Sequence, residues 1–271
     1  MLVNLNALLA DAQKNACAVG LFNTIDTDAI EAAISAAEEM RAPIIIGTAE
    51  VLLPYGPLQL IGPAMIHMAK NASVPVAVHF DHGLTTEKCM EALELGFTSI
   101  MFDGSEGDEE ENIRQTREMV KIAHGMGASV EGEIGHVGVV EEEGDLYTTP
   151  EEAVRFAQRT GVDALAVAIG TAHGVYKTKP KLDIERLKEI RSSLETPLVL
   201  HGGSGLTDED FRNTIRSGIT KVNIFTDLYL AALKAVRGCD GFYLDMRAEK
   251  VKAMKQAVIE KILLFGSNGR C

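Results

Sequence analysis

A chain of 271 residues, 46% hydrophobic and 24% charged, has the length of one large α/β barrel and the balance of a soluble globular protein. Its formal net charge of −13 argues against nucleic acid or an anionic membrane as partner. An anionic substrate stays open, because metal ions and helix N-termini supply local positive potential.

Taken in order, residues 4–15 carry Leu5, Leu8, Leu9 and Ala12 at helical spacing, with Asn4 as cap. This helix precedes the first strand and is placed to close the bottom of a barrel. Residues 18–23 predict strand one, followed by an Ala- and Glu-rich helix from Thr27 or Asp28 to Arg41. Residues 43–48 predict strand two, 57–71 a helix, 74–80 strand three and 85–95 a helix stopped by Gly96. Strand four (99–103) leads to a helix at 109–125 whose acidic first turn suits the macrodipole. Strand five (129–135) carries Glu131 and Glu133, and residues 136–149 form a longer loop rich in Gly and Glu. Helix 150–160, strand six (164–169), helix 183–194 and strand seven (197–200) follow. The series ends with helix 207–217, strand eight (221–225), a helix from about Thr226 and a long helix over 245–264.

Continuous apolar strands imply burial on both faces and parallel pairing. Eight strand–helix units predict a (β/α)8 TIM barrel with an N-terminal helix and an extra C-terminal helix, as a single domain over residues 1–271. An open doubly wound sheet is the other architecture such alternation permits. It is disfavoured because no strand leads into GxGxxG and because chemistry-bearing residues end nearly every strand. Cys17, Cys89, Cys239 and Cys271 show no zinc spacing and are too sparse for a disulfide framework. No basic-then-apolar leader opens the chain, and no apolar run approaches the roughly 20 residues that span a bilayer. A reduced, cytoplasmic setting is the expectation.

Three strands end in histidine followed by glycine: His82-Gly83, His173-Gly174 and His201-Gly202. In a barrel those ends share one rim, and three imidazoles with an open fourth position are a catalytic zinc set. His79 and Asp81 alternate onto one side of their strand; His82 falls on the other unless the chain turns, and Gly83 predicts that it does. Asp81 is placed to hydrogen-bond a ligand or act as acid/base on an alkoxide. Asp103 and Glu133 end strands four and five as candidate oxygen ligands for the same metal or a second one. Among Glu141–Glu143, one residue becomes a mobile base if the loop covers the mouth. His67 and His124 sit in helical patterns and are read as bystanders. Gly202-Gly203-Ser204-Gly205 forms an anion nest beside Asn223-Ile224-Phe225-Thr226 at a helix N-terminus, where this barrel class commonly binds phosphate.

The stretches HFDHG (79–83), VEGEIGHVG (130–138), AIGTAHGVY (168–176), LVLHGGSGL (198–206), KVNIFTDL (221–228) and KILLFGSNGR (261–270) resemble the class II, metal-dependent ketose-bisphosphate aldolases, which include fructose- and tagatose-bisphosphate enzymes. The resemblance implies that His82, His173 and His201 bind a catalytic Zn2+ and that Asp81 is the acid/base on the aldehyde-derived oxygen. It places a second divalent metal at Asp103 and Glu133, and a Na+ or K+ ion at backbone groups near Gly174 and Gly202. Gly174, Gly202, Gly203, Ser204, Asn223, Ile224, Phe225 and Thr226 would hold dihydroxyacetone phosphate, with Lys177 a further phosphate contact. Glu141 falls where the family keeps its C3 base. A cytoplasmic homodimer or homotetramer in carbohydrate metabolism, glycolysis included, is implied as well.

The sequence departs from that pattern after strand four, where 102–108 lacks a His-x-Pro-Phe continuation. It also lacks the Pro-Arg arrangement near 239–247 that serves a distal phosphate, leaving Arg247 as a substitute. The aldehyde expected is therefore glyceraldehyde 3-phosphate or an unphosphorylated sugar aldehyde. Two other readings remain at this point: a barrel that uses the metal site for epimerisation or another retro-aldol substrate, and a non-catalytic sugar-phosphate-binding or aldolase-partner subunit.

Overall fold

The computed structural model describes residues 1–135, 147–172, 174 and 180–270. After a short strand β1 (Leu2–Val3) come β2 (Val19–Asn23), β3 (Ile44–Ala49), β4 (Val76–Gly83) and β5 (Ser99–Phe102). They are followed by β6 (Ser129–Ile134), β7 (Ala164–Val167), β8 (Leu198–Leu200) and β9 (Ile219–Ile224). Each of β2 to β9 pairs in parallel with the next, and β9 pairs with β2, so the eight strands close into a barrel. β1 adds to the start of β4. The helices are α1 (Leu5–Lys14), α2 (Thr27–Met40), α3 (Leu58–Asn71), α4 (Thr86–Leu95) and α5 (Glu109–Gly125), then α6 (Pro150–Thr160), α7 (Ile184–Ser193), α8 (Asp208–Arg216), α9 (Thr226–Arg237) and α10 (Tyr243–Phe265). The expected (β/α)8 barrel with extra helices at both ends is the fold.

The barrel interior is apolar at one end and polar at the other. Leu5, Leu8, Leu9 and Ala12 of α1 pack against Val19, Leu21, Ile45, Ala77, Ala164, Ala166 and Val199, which point inward from the strand starts. α1 thus closes the bottom, as its spacing predicted. Each of its three leucines contributes roughly 1.5–3 kcal/mol by burial. The same period-2 alternation carried upward turns polar side chains inward: Asn23, His79, Asp81, Glu131, Glu133, His201, Lys221 and Asn223 are all buried. The outward-facing residues join the helices in a second, larger core.

Boundaries shift where the chain leaves the ladder. β7 stops at Val167 instead of Ile169, because the carbonyls of Ala168 and Ile169 accept from Thr148 N and Asp183 N in the flanking connections. β9 starts two residues earlier than predicted, with Ile219 paired to Leu198. α10 starts at Tyr243, where Asp245 Oδ2 accepts from Phe242 N at 3.0 Å. Ala18 N donates to the Phe265 carbonyl and Gly269 N to the Met40 carbonyl, which fastens the end of α10 to the start of β2 and the end of α2.

Candidate active site

β4 supplies the organising residues. It runs regularly to Phe80, then its register with β5 shifts before Gly83. The turn falls on His82 itself, which has φ +41, a left-handed conformation uncommon for a residue with a Cβ. Gly83 is glycine for a different reason from the one expected. A Cβ there would strike Cys89 Sγ and the Met101 carbonyl oxygen, so β4 and β5 could not approach. The kink rotates His82 onto the side of Asp81.

Two carboxylates then fix two imidazoles. His82 Nδ1 lies 2.6 Å from Asp103 Oδ2, and His201 Nε2 lies 2.7 Å from Glu131 Oε1. Each carboxylate accepts, so His82 carries its proton on Nδ1 and His201 on Nε2. The opposite nitrogens, His82 Nε2 and His201 Nδ1, face one another at 2.8 Å. Two imidazole lone pairs at that distance require a positive charge between or beside them. A metal cation fits this donor set, and Asp81, His82 and His201 bring their donor atoms within 4.8 Å of one another. In the metal-free protein a proton takes that place. Burial works against a charged His82, but Asp81, the hydrogen bond to Asp103 and nearby Glu133 outweigh it and push its pKa up to about 10. Burial and the charge of His82 together lower the pKa of His201.

Asp81 is 1% exposed. Its Oδ2 accepts from Asn23 Nδ2 at 2.7 Å, and both oxygens accept from Asn223 Nδ2 at 3.0 and 3.1 Å. His79 Nε2 lies 3.6 Å from Oδ1, beyond hydrogen-bond distance, and burial together with the charge of Lys221 lowers the His79 pKa. His79 is in turn anchored at 2.7 Å through Nδ1 to Ser99 Oγ. Burial alone would raise the Asp81 pKa, but the charge on His82 beside it holds the carboxyl well below the usual range. The result is a buried carboxylate aimed by two amides.

Beneath these groups lies a buried ion pair that the sequence reading did not assign. Lys221 Nζ is 2.8 Å from Glu131 Oε2 and donates to Asn223 Oδ1 at 2.8 Å. Both ionic side chains are fully buried. Burial would raise the Glu131 pKa, but Lys221 and the hydrogen bond from His201 bring it down to about 2. Lys221 therefore supports both arms of the site: Glu131 under His201, and Asn223 beside Asp81. The available signal was alternation, since Glu131/Glu133 and Lys221/Asn223 are i, i+2 pairs interleaved with Val130, Gly132, Val222 and Ile224. Asn23 was missed too; it is a polar residue ending an apolar strand.

Asp103 Oδ1 accepts from the Ser105 amide at 3.1 Å and its hydroxyl at 2.7 Å, and the same hydroxyl reaches Glu133 Oε1 at 3.3 Å. His82, Asp103 and Glu133 form a second set of grouped donors. His67 and His124 lie exposed on helices. His173, Glu141 and Lys177 lie outside the described residues.

The expected phosphate end is assembled from β8 and β9. Gly202 has φ +63 and packs against the Ala172 backbone, and Gly174 has φ +105. Gly203 passes so close to Asn223 that a Cβ would lie 2.9 Å from its carbonyl oxygen. Ser204 Oγ accepts from Phe225 N at 3.2 Å and Asp227 N at 3.3 Å, at the start of α9, where Thr226 is half-buried. The Ile224 side chain is 1% exposed in the outer core, so any contact from it is through backbone. Arg247 is not at the mouth. It pairs with Asp28 at 2.8 Å and Glu31 at 2.7 Å along α2.

Residues 3–270 match the family model described as fructose-bisphosphate aldolase class-II. An uncharacterized protein YdjI of Escherichia coli K12 is 42% identical over 276 residues, covering 100% of this chain and 99% of its own. A Staphylococcus aureus fructose-bisphosphate aldolase is 38% identical over 284 residues, with 99% of each covered. Among solved structures, the E. coli YdjI aldolase superposes with TM-score 0.93 at 39% identity over 100% of this chain and 99% of that one. A putative fructose-1,6-bisphosphate aldolase from Coccidioides immitis gives 0.91 at 32% identity, covering 97% and 96%.

Proposed function

The chain belongs to the class II fructose-bisphosphate aldolase family, and from that premise we propose that the polar end of its barrel cleaves a phosphorylated ketose reversibly into dihydroxyacetone phosphate and an aldehyde, with Asp81 as the acid/base. The enzyme class, a metal-dependent carbon–carbon lyase acting on phosphorylated sugars, comes with the family. The observation that carries the site assignment is the pair of imidazole nitrogens facing each other 2.8 Å apart beside a buried carboxylate.

We assign the metal to His82 and His201, with His173 as the third ligand by resemblance, and zinc as the ion that suits imidazole donors. When bound, it supplies Lewis acidity that stabilises negative charge on the oxygens of the ketone fragment. Asp81 accepts the C4 hydroxyl proton as the C3–C4 bond breaks. Asn23 and Asn223 hold it in position for this. Glu141 is proposed as the group that returns a proton to C3. The Gly202–Ser204 turn and the start of α9 offer neutral donors for the phosphate of the ketone fragment. Asp103 and Glu133 are proposed for a second divalent ion, and backbone near Gly174 and Gly202 for Na+ or K+. Residues 1–271 are proposed to act as one domain, in a cytoplasmic homodimer or homotetramer serving carbohydrate metabolism. Among the described residues, no helix is long and apolar enough to cross a membrane.

The test needs no knowledge of the aldehyde. Dihydroxyacetone phosphate incubated with the enzyme in heavy water loses its C3 proton stereospecifically, as read by NMR, and a chelator stops the loss. Absence of exchange from zinc-loaded protein overturns the assignment.

A further inference from the structure

The rim of the barrel is electrically lopsided. The connections that follow the eight strands contain Lys177, Lys179 and Lys181, all after β7, and no other lysine or arginine. After β2 to β5 the connections carry Asp26, Glu50, Asp103, Glu106 and Asp108 instead. Cations on the adjoining helices are committed elsewhere: Lys88 to Glu91, Lys250 to Asp26 and Asp28, and Arg247 to Asp28 and Glu31.

Three of the four helix N-termini on that side, those of α2, α4 and α5, are filled by the chain's own oxygens, while α3 starts after Pro57 without a side-chain cap. Asp26 accepts from Ala29 N at the start of α2, and Asp108 from Glu110 N and Glu111 N at the start of α5. At α4, Glu50 Oε2 accepts from Leu84 N at 2.8 Å and Thr85 N at 3.1 Å, and its Oε1 from the Thr85 hydroxyl at 3.0 Å. A carboxylate thus occupies the place where a second phosphate would seek amides. Across the mouth, α9 starts without a side-chain cap, and Phe225 N and Asp227 N meet the neutral hydroxyl of Ser204.

Asp81 orients the substrate against this asymmetry. The hydroxyl that gives up its proton must touch Asp81, so the aldehyde half lies over β2 to β4. Ala49 is the strand partner of Asp81, and Glu50 is the next residue. A phosphate there would carry nearly two negative charges toward Glu50, and among the described residues the lysines and arginines of that side are already paired with carboxylates.

We propose that the aldehyde half is uncharged. On the aldolase reading above, the substrate is a ketose 1-phosphate with a single phosphate and a hydroxylated tail, and Glu50 is the residue that discriminates against a second phosphate. The test measures kcat/KM in the condensation direction for zinc-loaded enzyme with dihydroxyacetone phosphate and either glyceraldehyde or glyceraldehyde 3-phosphate. C3 proton exchange is followed in the same samples. The expected result is a preference of about tenfold or more for glyceraldehyde, narrowed by salt and by E50Q. Exchange together with equal or better use of glyceraldehyde 3-phosphate overturns the proposal alone, as does a ratio that E50Q leaves unmoved. Loss of exchange overturns the aldolase reading and this proposal with it.

Discussion

Asp103 grips His82 from the next strand: its Oδ2 lies 2.6 Å from His82 Nδ1, while its own amide donates to the Gly83 carbonyl at 2.9 Å. The carboxylate that sets the imidazole tautomer is thereby tied to the kink that aims the imidazole. Ser105 saturates the other oxygen.

Asp103→Asn breaks this arrangement. An amide has one acceptor oxygen, which cannot serve both His82 and Ser105, and the negative charge is gone. Zinc affinity falls by about 10- to 100-fold, measured by competition with a chromogenic chelator, while the circular dichroism spectrum is retained.

Asp81→Ala separates catalysis from metal binding. Turnover falls by about 10²- to 10⁴-fold, while bound zinc, measured by elemental analysis after dialysis, stays near one per chain. Unchanged turnover would remove Asp81 from the mechanism.

Lys221→Met leaves Glu131 charged, buried and without its cation. Stability falls by about 3–5 kcal/mol in denaturant unfolding. Adding Glu131→Gln to Lys221→Met recovers a large part of the loss, because the stranded charge is removed. Additive losses would show that the two side chains do not act as a pair. Both single variants also weaken zinc retention, since Glu131 orients His201 and Lys221 orients Asn223.

Gly83→Ala forces a methyl group against Cys89 Sγ and the Met101 carbonyl oxygen. The sulfur can shift but the backbone oxygen cannot, so the end of β4 moves off β5 and carries His82 away from Asp103. A destabilisation of about 1–3 kcal/mol accompanies weaker zinc binding. Thermal melts with and without zinc separate the two effects.

The architecture was legible because most strands are short apolar runs set off from the helices by turn or capping residues, a local signal. The histidines His82 and His201 were legible for the same reason: each ends such a run, next to glycine. The supporting layer was not. Glu131 and Lys221 look like solvated charges in a linear sequence, and they become partners only when closure brings β6 and β9 to face each other across the interior. Asn23 needed that closure as well, since β2 reaches Asp81 from another strand. The turn that Gly83 predicts is made by His82, although glycine is the usual owner of a left-handed turn. Here the glycine is required by the closeness of β5, and the histidine takes the strain.

The fastening of α10 to Ala18 and Met40 has a consequence for how the protein is made. α10, made after every strand of the barrel, covers a strand and a helix made among the first, and β9 pairs with β2 across a long stretch of chain. The barrel seam therefore cannot be sealed before β9 has been made. The early α2–β3 region waits with its apolar face uncovered until β9 and α10 have been made, which makes chaperone demand during expression a property of this topology and not of any weak core.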